Sequence, residues 1–305
     1  MEYKKQATIV LRNGIGDKLL DTLGFYVICK YLNYQPHVEF NRLVEKFDWG
    51  FGSTTEYDLG LFEFSDIIIT NGVTCPYFVR SVNPSSTLCP YKVYIFLRKF
   101  IPELTFSEVS ESFAREAKRI FKPSEIITSL IPEGIENAYG IHLRKTDKVI
   151  AVNGDLRHVA SPEEFEIIIQ RLLEDVNKII ATDPDPMFFV TSEDDDWLAE
   201  MKRRLGPNVK LIAPEYIGDR NTRSVLHMFC LSKCKMILQG VKYSSFSMIA
   251  SILGAQKLRN YSPDLDICLL PSWNSVVEIN GGKCYDLEVH DRVTRGVTEL
   301  YTNID

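Results

Sequence analysis

From residue 135 onward the chain alternates short apolar runs with helix-length amphipathic segments, and this alternation most constrains the fold. Ala138 to Leu143 reads as a strand. Ser161-Pro162-Glu163-Glu164 then opens a helix, with Ser161 as N-cap, Pro162 at the first helical position and Glu164 completing a capping box. Phe165, Ile168, Ile169, Leu172 and Leu173 give that helix an apolar face. Strands follow at Met187–Val190, Val209–Ile212 and Met236–Leu238, separated by helices from about Asp195 to Leu205 and from about Thr222 to Lys233. Tyr243-Ser244-Ser245-Phe246-Ser247 leads into a last helix of small residues that ends near Gly254. Strands alternating with helices predict a parallel, doubly wound α/β sheet, and right-handed crossovers place the loops after the strands on one edge.

That edge carries the chemistry. The first strand ends in Arg144-Lys145-Thr146-Asp147-Lys148, a burst of positive charge with one carboxylate in it. Open α/β sheets bind ligands beyond the carboxyl ends of their strands. Arginine there grips a phosphate through two parallel hydrogen bonds, and lysine acts as a point charge. A solvated charged loop is the plainer reading. The anion site gains weight because three further strand ends place polar residues on the same edge.

The first half repeats the theme on a smaller scale. Ala7 to Leu11 reads as a strand, Asn13-Gly14-Ile15-Gly16-Asp17 as a tight glycine turn, and Lys18 to Leu32 as a helix. Such a turn lets a backbone approach a ligand at a helix N-terminus, though a plain turn explains it equally well. Further strands are expected near Asp66–Thr70 and Lys92–Leu97, and a helix at Ser107–Phe121. Pro123, Pro132 and Gly134 mark the boundary, giving an N-terminal unit at 1–133, a second at 134–260 and a tail at 261–305. In the tail, Asn280-Gly281-Gly282 between two apolar runs reads as a hairpin.

Length and composition allow two domain-sized cores: 305 residues, 45% hydrophobic. A net charge of −6 argues against nucleic acid as a partner. No apolar run reaches membrane-spanning length, and the charged N-terminus lacks a secretory apolar region. The seven cysteines are scattered without metal-ligand spacing; Cys230 and Cys234 read as buried thiols. A reducing, cytoplasmic setting is expected.

At this point the residues resemble a family. His142-Leu143-Arg144-Lys145-Thr146-Asp147-Lys148-Val149 is similar to the His-x-Arg-Arg-x-Asp motif of the GT-B fucosyltransferases that make α1,6 linkages on N-glycan cores and nodulation factors. The resemblance continues in order. Val190-Thr191-Ser192-Glu193-Asp194-Asp195 resembles the strand ending in Thr-Asp-Asp. The helix from Leu226 to Lys235 resembles the family's next helix, and Tyr243-Ser244-Ser245-Phe246-Ser247 resembles its Phe-Ser-Ser turn. Gly14-Ile15-Gly16-Asp17 looks like the glycine turn of the nodulation enzymes. The likeness spans residues 138–254 and the turn at 13–17.

The resemblance implies two Rossmann-like domains with a nucleotide-sugar cleft between them, and a metal-independent, inverting transfer of fucose from GDP-fucose to a glycan hydroxyl. It implies no bound cofactor beyond the donor. Arg144 would hold the donor β-phosphate and stabilise the departing GDP, with Lys145 beside it. His142 would lie near the nucleotide, and Glu193 and Asp194 toward the base and ribose. Tyr243, Ser244 and Ser245 would bind the phosphates, with Gly14 and Gly16 beneath the pyrophosphate. Three positions depart from the pattern. Lys145 replaces a second arginine and loses the bidentate grip. His227 stands where relatives carry the acid that reads guanine. Val152 stands where the expected catalytic glutamate would be, which leaves Asp17 and Asp155 as candidate bases. Asp17 has a second reading as a helix N-cap.

Other readings stay open. Asp183-Pro184-Asp185 and Asp194-Asp195-Asp196 each contain D-x-D, the metal–nucleotide motif of GT-A transferases. The first sits before a strand in a Pro-rich turn. The second suits a helix start, where acids favour the first turn. A GT-B enzyme using another nucleotide sugar, such as a UDP-sugar, is an alternative, as is a degenerate glycan- or nucleotide-binding module. Nothing pairs two carboxylates across a sugar as a glycosidase requires. For a glycan acceptor, Trp49, Tyr77 and Trp273 are candidate stacking residues with ordinary packing as the alternative role.

Overall fold

The computed structural model describes residues 5–11, 14–40, 58–70, 88–145, 149, 160–207, 209–215, 218–242 and 244–262. The tail hairpin, Trp49, Tyr77, Val152, Asp155, Tyr243 and Trp273 lie outside these.

The second half builds one five-stranded sheet. Its strands are β6 (Ala138–Leu143), β7 (Met187–Ser192), β8 (Lys210–Ile212), β9 (Met236–Gly240) and β10 (Lys257–Asn260). They lie in the order β10-β9-β6-β7-β8, and every neighbouring pair is parallel. The chain starts at the centre with β6, winds outward to β8, then returns to β9 on the other side. The direction of winding reverses between β6 and β9, and a crevice forms beyond their carboxyl ends.

Alternation along each strand divides the side chains between two cores. Phe188 and Leu238 face one layer, and Phe189 and Ile237 the other. Helices α5 (Pro162–Thr182) and α6 (Asp195–Leu205) cover the first layer. Their residues Phe165, Ile168, Ile169, Leu172, Trp197 and Met201 are buried there. Helices α7 (Arg220–Lys233) and α8 (Ser245–Gly254) cover the second.

The first half contributes a three-stranded parallel sheet in the order β1-β2-β4, from β1 (Lys5–Val10), β2 (Tyr34–Glu39) and β4 (Ile68–Thr70). A separate antiparallel pair joins β3 (Phe62–Phe64) to β5 (Phe121–Pro123). Helices α1 (Ile15–Leu32), α2 (Pro90–Leu97), α3 (Phe106–Ile120) and α4 (Glu125–Leu130) complete it. Their apolar residues join those of α7 and α8 in one continuous core.

Several local expectations change. Lys92–Leu97 forms a helix rather than a strand. Pro90 sits in its first turn, and Val93, Phe96 and Leu97 are buried at helical spacing, which outweighs the β-branched and aromatic content. Strand β2 contains Pro36 and stands between β1 and β4. Pro36 pairs with Ala7 of β1, while the pairing to β4 begins only at His37, so its other side has no strand neighbour. A residue without an N–H is tolerated there. Helix α1 begins at Ile15 with Gly14 as its N-cap, so Asp17 lies inside the first turn and is not the cap. At α5 half of the capping box forms: the Ser161 hydroxyl accepts from the Glu164 N–H, but the Glu164 carboxylate goes to Lys242 at 2.8 Å.

Candidate functional site

An open cleft of roughly 370 Å³, part of it continuous with solvent, lies at the carboxyl edge of the five-stranded sheet. It is lined by His142 from β6, Thr191 and Ser192 from β7, and Glu193 just beyond. Helix α7 adds Arg220, Arg223, Ser224 and His227, and Phe246 of α8 closes one side.

Local sequence explains why these groups meet. The α7 residues Arg220, Arg223, Ser224 and His227 recur at the three- and four-residue spacing of one helix face. Val225, Leu226, Met228 and Phe229 are buried in the core. Asp219 caps the helix by accepting from the Asn221 and Thr222 N–H groups at 3.0 and 2.9 Å. Ser244 caps α8, its hydroxyl oxygen accepting from the Phe246 N–H at 3.2 Å.

Cations dominate the rim. Arg144 Nη1 lies 3.4 Å from Glu193 Oε1, and Arg220 Nη2 lies 3.7 Å from Glu193 Oε2. Arg223 Nη1 is 3.7 Å from Asp195. Glu193 thus sits between two guanidinium groups, in a place whose charge also suits a phosphate. The two imidazoles lie deeper. The His142 ring packs against Phe246 at 5.0 Å, tilted by 35°, and its Nδ1 is 3.2 Å from Ser247 Oγ. His227 Nδ1 is 2.8 Å from Thr191 Oγ1, and its ring meets Phe189 edge-on at 5.5 Å.

Of the residues expected from sequence, His142, Glu193 and His227 come together in the lining, with Arg144 joined to them through Glu193. Ser244 and Ser245 stand at the start of α8 beside Phe246. Two others take different places. Lys145 lies over the Trp197 ring at 4.9 Å, on the side covered by α5 and α6. Asp194 is the N-cap of α6, its carboxylate accepting from the Trp197 N–H at 3.1 Å. That is the helix-start role weighed for the second D-x-D. The first D-x-D lies at the opposite edge of the sheet, where Asp183 accepts from Tyr139 and Lys235 at 3.0 and 3.2 Å. Asp155 and Tyr243 are outside the described residues. Sequence reasoning did not single out Arg220, Arg223 and Ser224: Arg220 lies just before the expected helix start at Thr222, and Arg223 and Ser224 lie inside that helix, on the polar face that also carries His227 and begins at the Asp219 cap.

Gly16 of the glycine turn makes a close contact within the protein. A Cβ on Gly16 would stand 2.5 Å from the Phe246 backbone nitrogen and 2.8 Å from the Ser245 carbonyl carbon. Gly16 therefore lets the start of α1 rest directly on the start of α8. Among the described residues, no atom comes within 4 Å of a Cβ built on Gly14. Gly16→Ala should gain a little helix propensity. The new methyl meets backbone that cannot swing aside, so overpacking wins, at about 1–3 kcal/mol. A melting temperature equal to that of the unchanged protein would contradict this contact.

Burial first, and then the nearby Arg144 and His227, pull the His142 imidazole down to about 3. Burial and then Arg223 bring His227 to about 4. Both rings are neutral at pH 7. An unfolded histidine takes its proton near pH 6.5. The His142 contribution to stability is therefore complete above about pH 6.5 and is lost as pH falls toward 3. By pH 5 that loss is about 2 kcal/mol. Asp21 on α1 acts in the opposite sense. Burial raises its carboxyl to about 8 despite a hydrogen bond from the Leu88 N–H, so the folded chain gains from that proton as pH falls. Comparing the protein with His142→Gln cancels the Asp21 effect. The stability difference between pH 7 and pH 5, measured in urea, should change by about 2 kcal/mol on that substitution. Identical pH dependence in both chains would mean that His142 is not buried as a neutral ring.

No family model and no curated protein matches this chain. Solved structures do. The chain is similar to the NodZ α1,6-fucosyltransferase soaked with GDP-fucose, at 13% identity and a TM-score of 0.52, over 83% of this chain and 93% of that one. The fold of this chain is that of the NodZ fucosyltransferase. The selenomethionine form of fucosyltransferase NodZ from Bradyrhizobium gives 13% identity and a TM-score of 0.51 over the same shares. Among the described residues, no helix is long and apolar enough to cross a membrane.

Proposed function

We propose that this chain is an inverting glycosyltransferase that moves fucose from GDP-fucose to a glycan hydroxyl without a metal ion. The observation that carries the reading is the cleft itself. Arginines and neutral imidazoles converge at the winding reversal of a sheet, in a fold shared with a fucosyltransferase that was soaked with GDP-fucose. In this reading residues 1–133 form the acceptor-side unit, 134–260 the nucleotide-sugar unit, and 261–305 a tail. Cytoplasmic placement belongs to the same proposal.

The chemistry follows from where charge develops. The acceptor oxygen forms its bond to the anomeric carbon as the bond to the β-phosphate oxygen breaks, and the anomeric centre inverts. Negative charge grows on the diphosphate. Arg144 offers a fixed cation for it, with Arg220 and Arg223 on the same rim. The acids nearest these groups, Glu193 and Asp195, face guanidinium partners, and Asp194 caps a helix. Cation stabilisation by side chains therefore suits this rim better than a metal held by carboxylates.

The acceptor hydroxyl must lose a proton. Asp17 lies in the first turn of α1, against the start of α8, and is the favoured base; Asp155 is the other candidate. Asp17→Asn should fold normally and lower kcat about a hundredfold, the lower end of what a general base supplies. Unchanged turnover would move the role to Asp155.

His227 supports a second donor reading. With Nδ1 engaged by Thr191, it has one ring nitrogen to offer, whereas a carboxylate gives two acceptors to guanine. Calorimetric titration with GDP and UDP, with and without manganese, tests the whole reading. Tighter GDP binding, with full activity in excess EDTA, supports it. Tighter UDP binding replaces the donor. No binding of either leaves a degenerate glycan-binding module, and loss of activity in EDTA with rescue by manganese overturns metal independence.

A further inference from the structure

We propose that Gln239, acting through Ser247, is a positioning residue that fixes His142 in one tautomer, with Nδ1 protonated and Nε2 presented to the cleft as a hydrogen-bond acceptor.

Gln239, Ser247 and His142 form a chain of buried hydrogen bonds whose directions are set from one end. Gln239 stands beside His142 in the sheet, paired with it across β9 and β6. Its amide nitrogen donates to the Val241 carbonyl at 3.1 Å, and a carbonyl oxygen can only accept. That fixes the amide orientation and turns Gln239 Oε1 toward α8. There Ser247 Oγ lies 2.8 Å from Oε1. The amide oxygen has no proton, so the serine hydroxyl must donate to it. The single Ser247 proton is then used, and its oxygen faces His142 Nδ1 at 3.2 Å with only lone pairs. Nδ1 must therefore carry the ring proton. The opposite tautomer would set two acceptors against one hydroxyl and leave one of them unsatisfied in a place where His142, Gln239 and Ser247 are 3%, 3% and 0% exposed. The second contact of Ser247, to the Ser244 carbonyl at 3.4 Å, is longer and does not compete with 2.8 Å.

A neutral ring protonated on Nδ1 has its Nε2 lone pair free to accept. His142 lines the cleft while its Nδ1 is turned to Ser247 in the interior. Nε2 is thus the nitrogen left for a ligand. The partner it selects is a hydrogen-bond donor, either a hydroxyl of a sugar or ribose or an N–H of a base, and not a phosphate oxygen. Phosphate oxygens fit the guanidinium rim instead. This assignment of a ligand group rests on the proposed nucleotide-sugar site; the tautomer does not.

Nitrogen-15 NMR of the histidine rings in the full-length, ligand-free protein tests the tautomer directly at pH 7. The expected spectrum shows His142 Nδ1 in the protonated range and Nε2 in the unprotonated range. Gln239→Leu frees the Ser247 hydroxyl to donate to the ring, and the Nε2 resonance should shift to the protonated range. Ser247→Thr keeps the hydroxyl and should leave it unmoved. If Gln239→Leu does not fold, Ser247→Ala gives the same readout through partial loss of the Nδ1–H signal. A protonated Nε2 in the unchanged protein, or a spectrum that neither Gln239→Leu nor Ser247→Ala alters, overturns the proposal. Because no nucleotide is added, a failure here is separate from a failure of the donor reading.

Discussion

Arg144→Ala is expected to lower turnover about a hundred- to a thousand-fold while the protein stays folded. Arg144 follows β6 at the centre of the five-stranded sheet, where the winding direction reverses. Its guanidinium is at the rim of the cleft, 3.4 Å from Glu193, and both side chains are partly exposed. An ion pair of that kind contributes at most about 1 kcal/mol to stability. Fixed cations aimed at developing charge are worth far more to a transition state, about 2.7–4 kcal/mol for one lost donor. The two magnitudes differ enough for the experiment to separate them: catalysis should collapse and the melting temperature should hardly move. Arg144→Lys should recover little, because a point charge cannot reproduce two parallel hydrogen bonds to one phosphate. A rate near that of the unchanged protein for Arg144→Ala would remove Arg144 from the centre of the proposed mechanism.

The same strand shows what the sequence could reveal. Ala138–Leu143 was legible to the residue because a run of apolar residues buried on both faces has few other uses, and the burst of charge after it marks the edge. The glycine turn was legible as a turn, but its purpose was not. Whether Gly16 approaches a ligand or a helix depends on the start of α8, some 230 residues away, and no local pattern encodes that. Lys145 and Asp194 matched a motif by position, yet Trp197 claims both, one through its ring and the other through its N–H. Strand β2 carries Pro36, a residue that argues against a strand between two others; only the staggered start of β4 removes the objection. Strand β10, Lys-Leu-Arg-Asn, carries too little apolar signal to stand out, and it forms because β9 offers it an edge.

That edge strand is held by one buried carboxylate, and removing it should cost more stability than any other change considered. Asp175 on α5 is 5% exposed. Its Oδ2 accepts from Arg259 Nη1 at 2.6 Å and from the Tyr261 hydroxyl at 3.1 Å, while Oδ1 accepts from Lys178 at 2.9 Å. Burial alone would raise its pKa, but the hydrogen bonds from Lys178, Arg259 and Tyr261 prevail and hold it below the ordinary carboxylate range. Asp175→Ala strands the hydroxyl of Tyr261, which is fully buried, and removes the carboxylate to which Arg259 Nη1 donates. Breaking such a group should cost about 3–5 kcal/mol in urea unfolding at pH 7. Lys178→Ala should cost under about 1 kcal/mol, since that ammonium is exposed. The pH dependence has a definite sign. The folded carboxyl is more acidic than the unfolded one, so its contribution is complete above the ordinary range near 3.9 and is lost as pH falls through the lower folded value. Acid unfolding should therefore be less steep in Asp175→Asn. The effect should also reach the cleft. At the end of β10, Asn260 Nδ2 donates to the Lys242 carbonyl at 3.1 Å, bracing the loop that delivers Ser244 and α8. If Asp175→Ala unfolds within about 1 kcal/mol of the unchanged protein, β10 is held by its apolar contacts and the carboxylate is dispensable.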